Sequence, residues 1–156
     1  LGNAKTKNAI FVLTSHSFAL SLQKGYLEGV FVTDKQLKSE FIMMQQLIDT
    51  LHTGHYSLVV LHEGRQRSFG GQGVRNLYDI STQEPELLLG AKLADKAVGR
   101  TAAKIMAEGG VVEVYADYIS QQAYDLLSDA KVKVSYGKKV DHATFLDIWK
   151  KLGEIE

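Results

Sequence analysis

The segment Leu93–Ala103 combines acidic, basic and glycine residues at a spacing that suits the binding of a small anion. We predict a strand over Leu87–Leu93 and a helix over Asp95–Glu108. The segment would then join the carboxyl end of a strand to the start of a helix, where open α/β sheets place ligands. Asp95 would be the N-cap of this helix, because its carboxylate can accept the unpaired amides of the first turn.

A basic stripe follows on the predicted helix, where Lys96, Arg100 and Lys104 recur every four residues. Cations in a first turn oppose the helix dipole, and a bound anion would make them favourable. The alternative is that the stripe is only a solvated face. Gly99 would lie inside the helix at a cost of about 1 kcal/mol relative to alanine, so it indicates a close approach by a ligand or by a neighbouring strand.

The glycine-rich loop Gly70–Arg75 is a second candidate site. Gly71 and Gly73 let the backbone approach a ligand closely, and Arg75 could grip a phosphate or carboxylate through two hydrogen bonds. The loop lacks the Gly-Lys-Ser/Thr ending of a phosphate loop, and it could equally be a flexible connection. Residues 65–104 carry seven basic and four acidic side chains, whereas residues 105–130 carry five acidic and no basic ones, so positive charge collects around both candidate segments.

Other polar residues give weaker signals. Asp117 would follow a predicted strand, Val111–Ala116, at a position where carboxylates often act, although it could equally cap the next turn with Ser120. His52 and His55 are three residues apart, but no third ligand is evident, so a surface pair is favoured over zinc. The sequence has no Cys, no Gly-x-Ser-x-Gly elbow and no credible Ser–His–Asp set. We therefore predict no metal and no cofactor, and we assign no catalytic residue.

The composition is that of a globular protein. The chain has 156 residues, of which 45% are apolar and 23% charged, which is ordinary for one domain. Its 18 basic and 18 acidic residues cancel, which argues against a protein whose main role is to bind duplex nucleic acid or anionic lipid. No apolar run approaches the roughly 20 residues of a membrane span. Ile10–Leu13 is too short for the core of a signal peptide, so we predict a cytoplasmic protein without a membrane partner and leave homo-oligomerisation open.

Hydrophobic periodicity predicts the elements that position these residues. A helix over 42–53 leads into a hairpin of strands Tyr56–Leu61 and Gln66–Phe69, whose second strand would lie nearer the sheet edge. Strands and helices then alternate with connections short enough to require parallel pairing. This order predicts an α/β fold, a three-layer α/β/α sandwich with a mixed sheet. The remaining predicted elements are a short helix over Val74–Ile80, a turn at Pro85, a helix over Ser120–Ser128, a strand over Lys131–Ser135 and a last helix over Thr144–Leu152.

The chain divides into an N-terminal extension, residues 1–41, and a main domain, residues 42–156. Short apolar clusters and a glycine-bracketed turn in the extension predict a small hairpin around Gly29–Thr33, an accessory strand pair packed on the main domain. The alternative is that natural translation begins at Met43 or Met44, which would make residues 1–41 a mis-assigned upstream segment.

Three segments resemble a known family. Gly90–Arg100, Val114–Ser120 and Val134–Lys138 are similar to domain-of-unknown-function family 1893, a prokaryotic family within the cytidine deaminase-like superfamily. The resemblance covers about residues 44–140 and implies a cytidine deaminase-like fold. The tail from Asp141 departs from the family's usual end, which contains Cys-Pro.

The same resemblance bears on the chemistry. Active deaminases hold zinc with one His and two Cys, and a Glu moves the proton. By the resemblance, His-x-Glu would fall at Gly73–Asn76 and Pro-Cys-x-x-Cys at Ala94–Gly99. At these positions the chain has neither the His and Glu nor the two Cys. The resemblance therefore implies a degenerate member without zinc-dependent deamination, in which Arg75, Asp95 and Lys96 would replace the metal and its base.

We therefore predict a metal-free binding or regulatory domain for a small anionic or nucleotide-like ligand, and enzyme activity is not favoured. One alternative is a zinc-independent enzyme with Asp95 as base and Lys96 as electrostatic stabiliser or nucleophile. Another is an RNA-associated or oligomerising protein that uses the basic stripe, although nucleic acid is not the favoured partner. The predicted ligand-binding residues are Gly71, Gly73, Arg75, Asp95, Lys96, Gly99, Arg100 and Asp117.

Overall fold

The computed structural model describes residues 33–153 and divides the chain into two compact units, residues 1–45 and 46–156. Helix α1, Asp34–Thr53, runs across this division. It begins earlier than the predicted 42–53, because Thr33 and Gln36 form a capping box: the Gln36 amide donates to Oγ1 of Thr33, and the Thr33 amide donates to Oε1 of Gln36. The hairpin predicted around Gly29–Thr33 and the apolar stretch Ile10–Leu13 fall on residues outside the described ones, apart from Thr33, and the boundary at 41/42 stays a prediction.

The second unit is built on a mixed sheet of five strands in the order β2-β1-β3-β4-β5. Strand β1 is antiparallel to both β2 and β3, whereas β4 is parallel to β3 and to β5. The α/β architecture and the order of elements are therefore as predicted. The strands are β1 Leu58–His62, β2 Arg65–Phe69, β3 Lys92–Val98, β4 Glu113–Ser120 and β5 Lys133–Val140; the helices are α2 Gly73–Gln83, a 3₁₀ turn Pro85–Leu87, α3 Arg100–Gly109, α4 Gln121–Asp129 and α5 His142–Lys151.

Helices cover both faces of the sheet and make three layers. Leu58 and Val60 point from β1 into the main core cluster, which also takes in side chains of α2, α3 and α4. Val59 points to the other face and is equally buried, as alternation along a strand requires. That face carries the end of α1, where His52 contacts Asp117, and α5. Within residues 33–153, no helix combines the length and hydropathy of a membrane span.

The hairpin of β1 and β2 forms as predicted. Glu63 and Gly64 join the strands with φ values of 50° and 75°, the left-handed pair that a two-residue turn favours because it matches the twist of the strands. Strand β2 lies at the sheet edge, and its residues are more exposed than those of β1. The polar composition of β2 therefore indicated its position correctly.

The segment around Asp95 folds differently from the prediction. The strand predicted at Leu87–Leu93 lies instead at Lys92–Val98, and the helix predicted from Asp95 begins at Arg100. The apolar run that suggested the strand ends the 3₁₀ turn and then turns again at Gly90, whose φ is 73°. Asp95 and Lys96 are therefore strand residues, so Asp95 is not the N-cap, and the basic stripe that was to begin at Lys96 does not form.

Two later strands are longer than predicted. Strand β4 continues to Ser120, so Asp117 lies inside a strand and not after its end. Ser120 is the N-cap of α4, since its Oγ accepts the amide of Ala123 at 3.1 Å. Strand β5 continues to Val140, and Asp141 caps the last helix by accepting the amide of Thr144 at 2.7 Å.

Candidate ligand-binding site

A cavity of about 90 Å³ lies at the carboxyl end of β3. This is the edge of the sheet at which the parallel strands end and the following helices begin, the usual location of ligands in open α/β sheets. The end of β3, the first turns of α2 and α3, and helix α5 contribute its walls. The lining residues are Val74, Ala97, Gly99, Arg100, Thr101, Ala102, His142, Phe145, Leu146 and Trp149.

The apolar wall depends on the glycine at position 99. A Cβ added to Gly99 would lie 2.7 Å from Cε1 of Phe145, so only glycine allows α5 to pack this closely on the end of β3. Phe145 is almost fully buried, and its ring stacks on Trp149 with a centroid distance of 6.1 Å. Gly99 was predicted inside a helix; it is the N-cap of α3, and its close approach is to α5.

The polar side of the cavity is the amino end of α3. The N-cap Gly99 has no side chain to accept the amides of this turn, whereas α4 and α5 are capped by Ser120 and Asp141. Arg100 is exposed in the first turn of α3, and the exposed His142 also contributes to the lining. Helix amides and a guanidinium at one mouth favour a negatively charged group.

Asp95 lies next to the cavity without lining it. It is fully buried in β3, and its Oδ1 accepts the amide of Ala97 at 3.1 Å. The same oxygen lies 3.2 Å from the position that a Cβ on Gly73 would occupy. Asp95 therefore holds Ala97 in place and packs beneath the start of α2, which carries the lining residue Val74.

Six of the eight predicted site residues lie outside the lining: Gly73 and Asp95, described above, and Gly71, Arg75, Lys96 and Asp117. Gly71 is an exposed turn residue with φ 78°, and Arg75 is exposed on α2. Lys96 and Asp117 lie at one level of the sheet, between the register pairs Asp95–Ala116 and Ala97–Tyr118. Lys96 is partly exposed and follows the fully buried Asp95 in a strand, where successive side chains point to opposite faces. Asp95 and Lys96 therefore do not converge on one substrate atom, as the enzyme alternative requires.

Asp117 is the centre of a separate polar cluster. Its Oδ1 lies 2.7 Å from Nε2 of His52 and accepts the hydroxyl of Tyr115 at 2.8 Å. Burial, followed by the hydrogen bond to Asp117, raises the pKa of Tyr115 to about 12, so this phenol stays protonated and donates. His55 does not join this cluster, and within residues 33–153 no group of three or more acidic or His side chains could hold a metal ion.

Sequence reasoning missed the part of the cavity contributed by α5. The helix predicted over Thr144–Leu152 was assigned no part in a site, although the sequence places Trp149, the one Trp of the chain, on the same helical face as Phe145. His142 was not singled out either. The sequence signal for this wall is a pair of aromatic residues on one helical face together with Gly99, a glycine that no predicted turn requires.

The family model described as "Domain of unknown function (DUF1893)" matches residues 46–144. The chain belongs to this family. A crystal structure of a DUF1893 family protein, TM1506 from Thermotoga maritima, is similar with a TM-score of 0.55 and 22% identity over 70% of this chain and 69% of that one. At this identity the likeness shows the fold alone. No curated protein matches the chain.

A second solved structure is more distant. It is a diaminohydroxyphosphoribosylaminopyrimidine deaminase/5-amino-6-(5-phosphoribosylamino)uracil reductase from Thermotoga maritima, with a TM-score of 0.39 and 16% identity over 69% of this chain and 37% of that one. A likeness this low carries no argument about function, and membership of the wider deaminase-like superfamily stays a prediction. The position expected for Pro-Cys-x-x-Cys is corrected by the fold, because Ala94–Gly99 ends β3 and caps α3 and does not lie within a helix.

Proposed function

We propose that the chain is a metal-free binding or regulatory domain and that its ligand is a small anionic or nucleotide-like molecule held at the end of β3. The observation that carries this proposal is one cavity with an aromatic wall on α5 and Arg100 at its mouth. Apolar pockets with a few convergent polar groups are the usual form of small-molecule sites.

The groups at the mouth of the cavity indicate that the ligand carries a negative charge. The guanidinium of Arg100 can bind phosphate or carboxylate through two parallel hydrogen bonds. The amides of the first turn of α3 add partial positive charge, and Gly99 leaves room for an acceptor to reach them. An anionic group bound here would also remove the unfavourable interaction between Arg100 and the helix dipole.

The aromatic side chains of the apolar wall indicate that the ligand carries a flat ring. Phe145 holds Trp149 by stacking, and an aromatic ring presented to a base is a common stacking surface. The cavity, at about 90 Å³, is far smaller than the roughly 300–1,000 Å³ of sites that enclose a whole ligand. It therefore has room for one group of the ligand, a phosphate or a ring, and the rest would lie along the mouth.

The experiment uses Trp149, the only tryptophan of the chain, as an internal fluorescence probe. Inorganic phosphate, cytidine monophosphate and adenosine monophosphate are titrated into the wild type and into Arg100→Ala. Lys104→Ala is the matched control, because it removes a positive charge from an exposed position one turn further along the same helix.

We expect a saturable change in Trp149 fluorescence with at least one anion. Loss of charged hydrogen bonds worth about 1.5–3 kcal/mol should weaken binding roughly ten- to 150-fold in Arg100→Ala. Lys104→Ala should bind within about twofold of the wild type, because exposed charges at this distance contribute little. The proposal fails if no anion gives a saturable change, or if both variants lose the same affinity.

A further inference from the structure

A second surface with binding chemistry lies on the edge strand β5, away from the cavity. Tyr136 is 40% exposed there, and its ring meets that of Tyr124 on α4 edge to face at a centroid distance of 5.7 Å. The ammonium of Lys139 lies 4.2 Å from the centre of the Tyr124 ring and 5.7 Å from that of Tyr136. We call Tyr124, Tyr136, Lys138 and Lys139 the tyrosine–lysine cluster; none of the four lines the cavity.

The segment that carries β5 has charge of one sign. Residues 131–140 contain four lysines and no acidic residue, in a chain whose total charge is zero. Lys133 is compensated by Glu113 at 3.7 Å. Lys138 is exposed and Lys139 is partly exposed, and among residues 33–153 neither lies within 4.0 Å of an acidic side chain. Strand β5 therefore offers one uncompensated cation beside the accessible ring, Lys139, and a second, Lys138, which follows the strand's alternation and points to its opposite face.

The position of β5 limits what can bind. It is the last strand of the sheet. Within the described part of the chain it pairs with β4, and no strand pairs with its other edge. A second copy of this chain paired along that edge would bring two lysine-rich strands together, which like charges oppose. A partner must therefore be anionic, and the exposed ring of Tyr136 favours one that also carries flat rings.

We propose that the tyrosine–lysine cluster binds single-stranded nucleic acid. A base would stack on Tyr136, whose orientation Tyr124 holds, and phosphodiester groups that follow the outer edge of β5 would pair with Lys139 on the ring side and with Lys138 on the opposite side. A single strand fits better than a duplex, because stacking on a side chain requires an unstacked base and two lysines are few for the charge density of a duplex. This surface differs from the basic stripe on which the sequence placed its RNA alternative, since that stripe does not form.

The test is fluorescence anisotropy of a labelled oligouridylate of about 15 nucleotides, a length that spans the usual site of a single-strand binder, at several salt concentrations. The variants are Tyr136→Leu, Tyr136→Phe and the double variant Lys138→Gln/Lys139→Gln. The matched control is Lys150→Gln/Lys151→Gln, which removes the same charge from two exposed positions in the last turn of α5. Circular dichroism checks that each variant is folded.

We expect salt-sensitive binding that Tyr136→Leu weakens about five- to 150-fold and Tyr136→Phe leaves within about twofold, because phenylalanine keeps the ring. Lys138→Gln/Lys139→Gln should reduce the slope of log affinity against log salt by about 1.4, or about 0.7 for each phosphate that a lysine no longer neutralises. No binding at low salt overturns the proposal, and so does an equal loss in the Lys150/Lys151 control. An oligoglutamate peptide that binds as tightly as the oligonucleotide also overturns it, because such a site would recognise charge without rings. None of these outcomes depends on the cavity.

Discussion

Replacing Gly99 by alanine tests whether the contact between β3 and α5 forms the cavity wall. The new Cβ would lie 2.7 Å from Cε1 and 3.2 Å from Cζ of Phe145. Phe145 cannot move aside freely, because only 2% of its surface is exposed. Inserting a methyl group into a well-packed contact of this kind destabilises a protein by about 1–3 kcal/mol.

A control is needed because alanine also restricts the unfolded chain, which stabilises by about 0.4–1 kcal/mol. Gly70→Ala supplies it: its added Cβ meets no atom within 4 Å, and its φ is not positive. The unfolded-state contribution is similar for both variants, so Gly99→Ala should be less stable than Gly70→Ala by the overpacking, about 1–3 kcal/mol, and by a smaller loss because alanine is a poorer N-cap than glycine.

The assay is urea unfolding followed by circular dichroism, with thermal unfolding as a second measurement. For a chain of this length, about 1 kcal/mol shifts the Tm by roughly 2–4 °C, so Gly99→Ala should melt about 2–12 °C below Gly70→Ala. Phe145→Leu, which shortens the opposing side chain, should relieve part of the loss in the double variant, and a double-mutant cycle measures this coupling. Equal stability of the two alanine variants, or a cycle without coupling, would refute the contact.

Three further substitutions examine single polar contacts. Asp95→Ala should cost about 1–3 kcal/mol in urea unfolding, because the buried amide of Ala97 loses its acceptor; Asp95→Asn keeps that acceptor, and an equal loss would contradict this reason. Because the pKa of Tyr115 rises from 10.0 to about 12 on folding, its stabilising contribution is complete below pH 10 and is lost as the pH rises through 12. The free energy of unfolding of Tyr115→Phe should therefore not fall in this way between pH 10 and 12. Identical pH profiles for the variant and the wild type would contradict this prediction. Ser120→Ala should lower the free energy of unfolding by about 1 kcal/mol, and an unchanged value would show that the amide of Ala123 does not need this cap.

The parts of the fold that sequence reasoning predicted correctly are set by short-range chemistry. The turn between β1 and β2 needs two left-handed residues, and Glu63-Gly64 supplies them. The helix predicted to end at Glu108 ends at Gly109, and Gly110 is its left-handed C-cap with φ 86°. The helix predicted from Ser120 begins one residue later, at Gln121, with Ser120 as its N-cap. In each case the residues that decide the structure are neighbours in sequence.

The segment that was wrong is decided by long-range packing. Strand β3 is the middle strand of the sheet, so its pairing partners come from β1 and β4, far along the chain in both directions. Its alanines and charged residues resemble a helix in isolation, and only burial between two helix layers makes a strand of them. The contact of His52 with Asp117 likewise joins residues 65 positions apart, which no local pattern can reveal.

The shift of β3 keeps the physical argument for an anion site and changes its residues. The argument required the carboxyl end of a strand followed by the first turn of a helix, and that junction lies at Gly99–Arg100. Arg100, which was predicted one turn into the helix, lies in its first turn, whereas Lys96 belongs to β3 and lies at the same level of the sheet as Asp117. The two cations therefore lie in different places, and the two variants should differ in anion binding. Arg100→Ala should weaken anion binding at the cavity by roughly tenfold or more. Lys96→Ala should leave it within about twofold, as expected for a partly exposed charge outside the site. Equal losses in both variants would mean that the ligand binds the sheet surface near Asp117 and not the cavity.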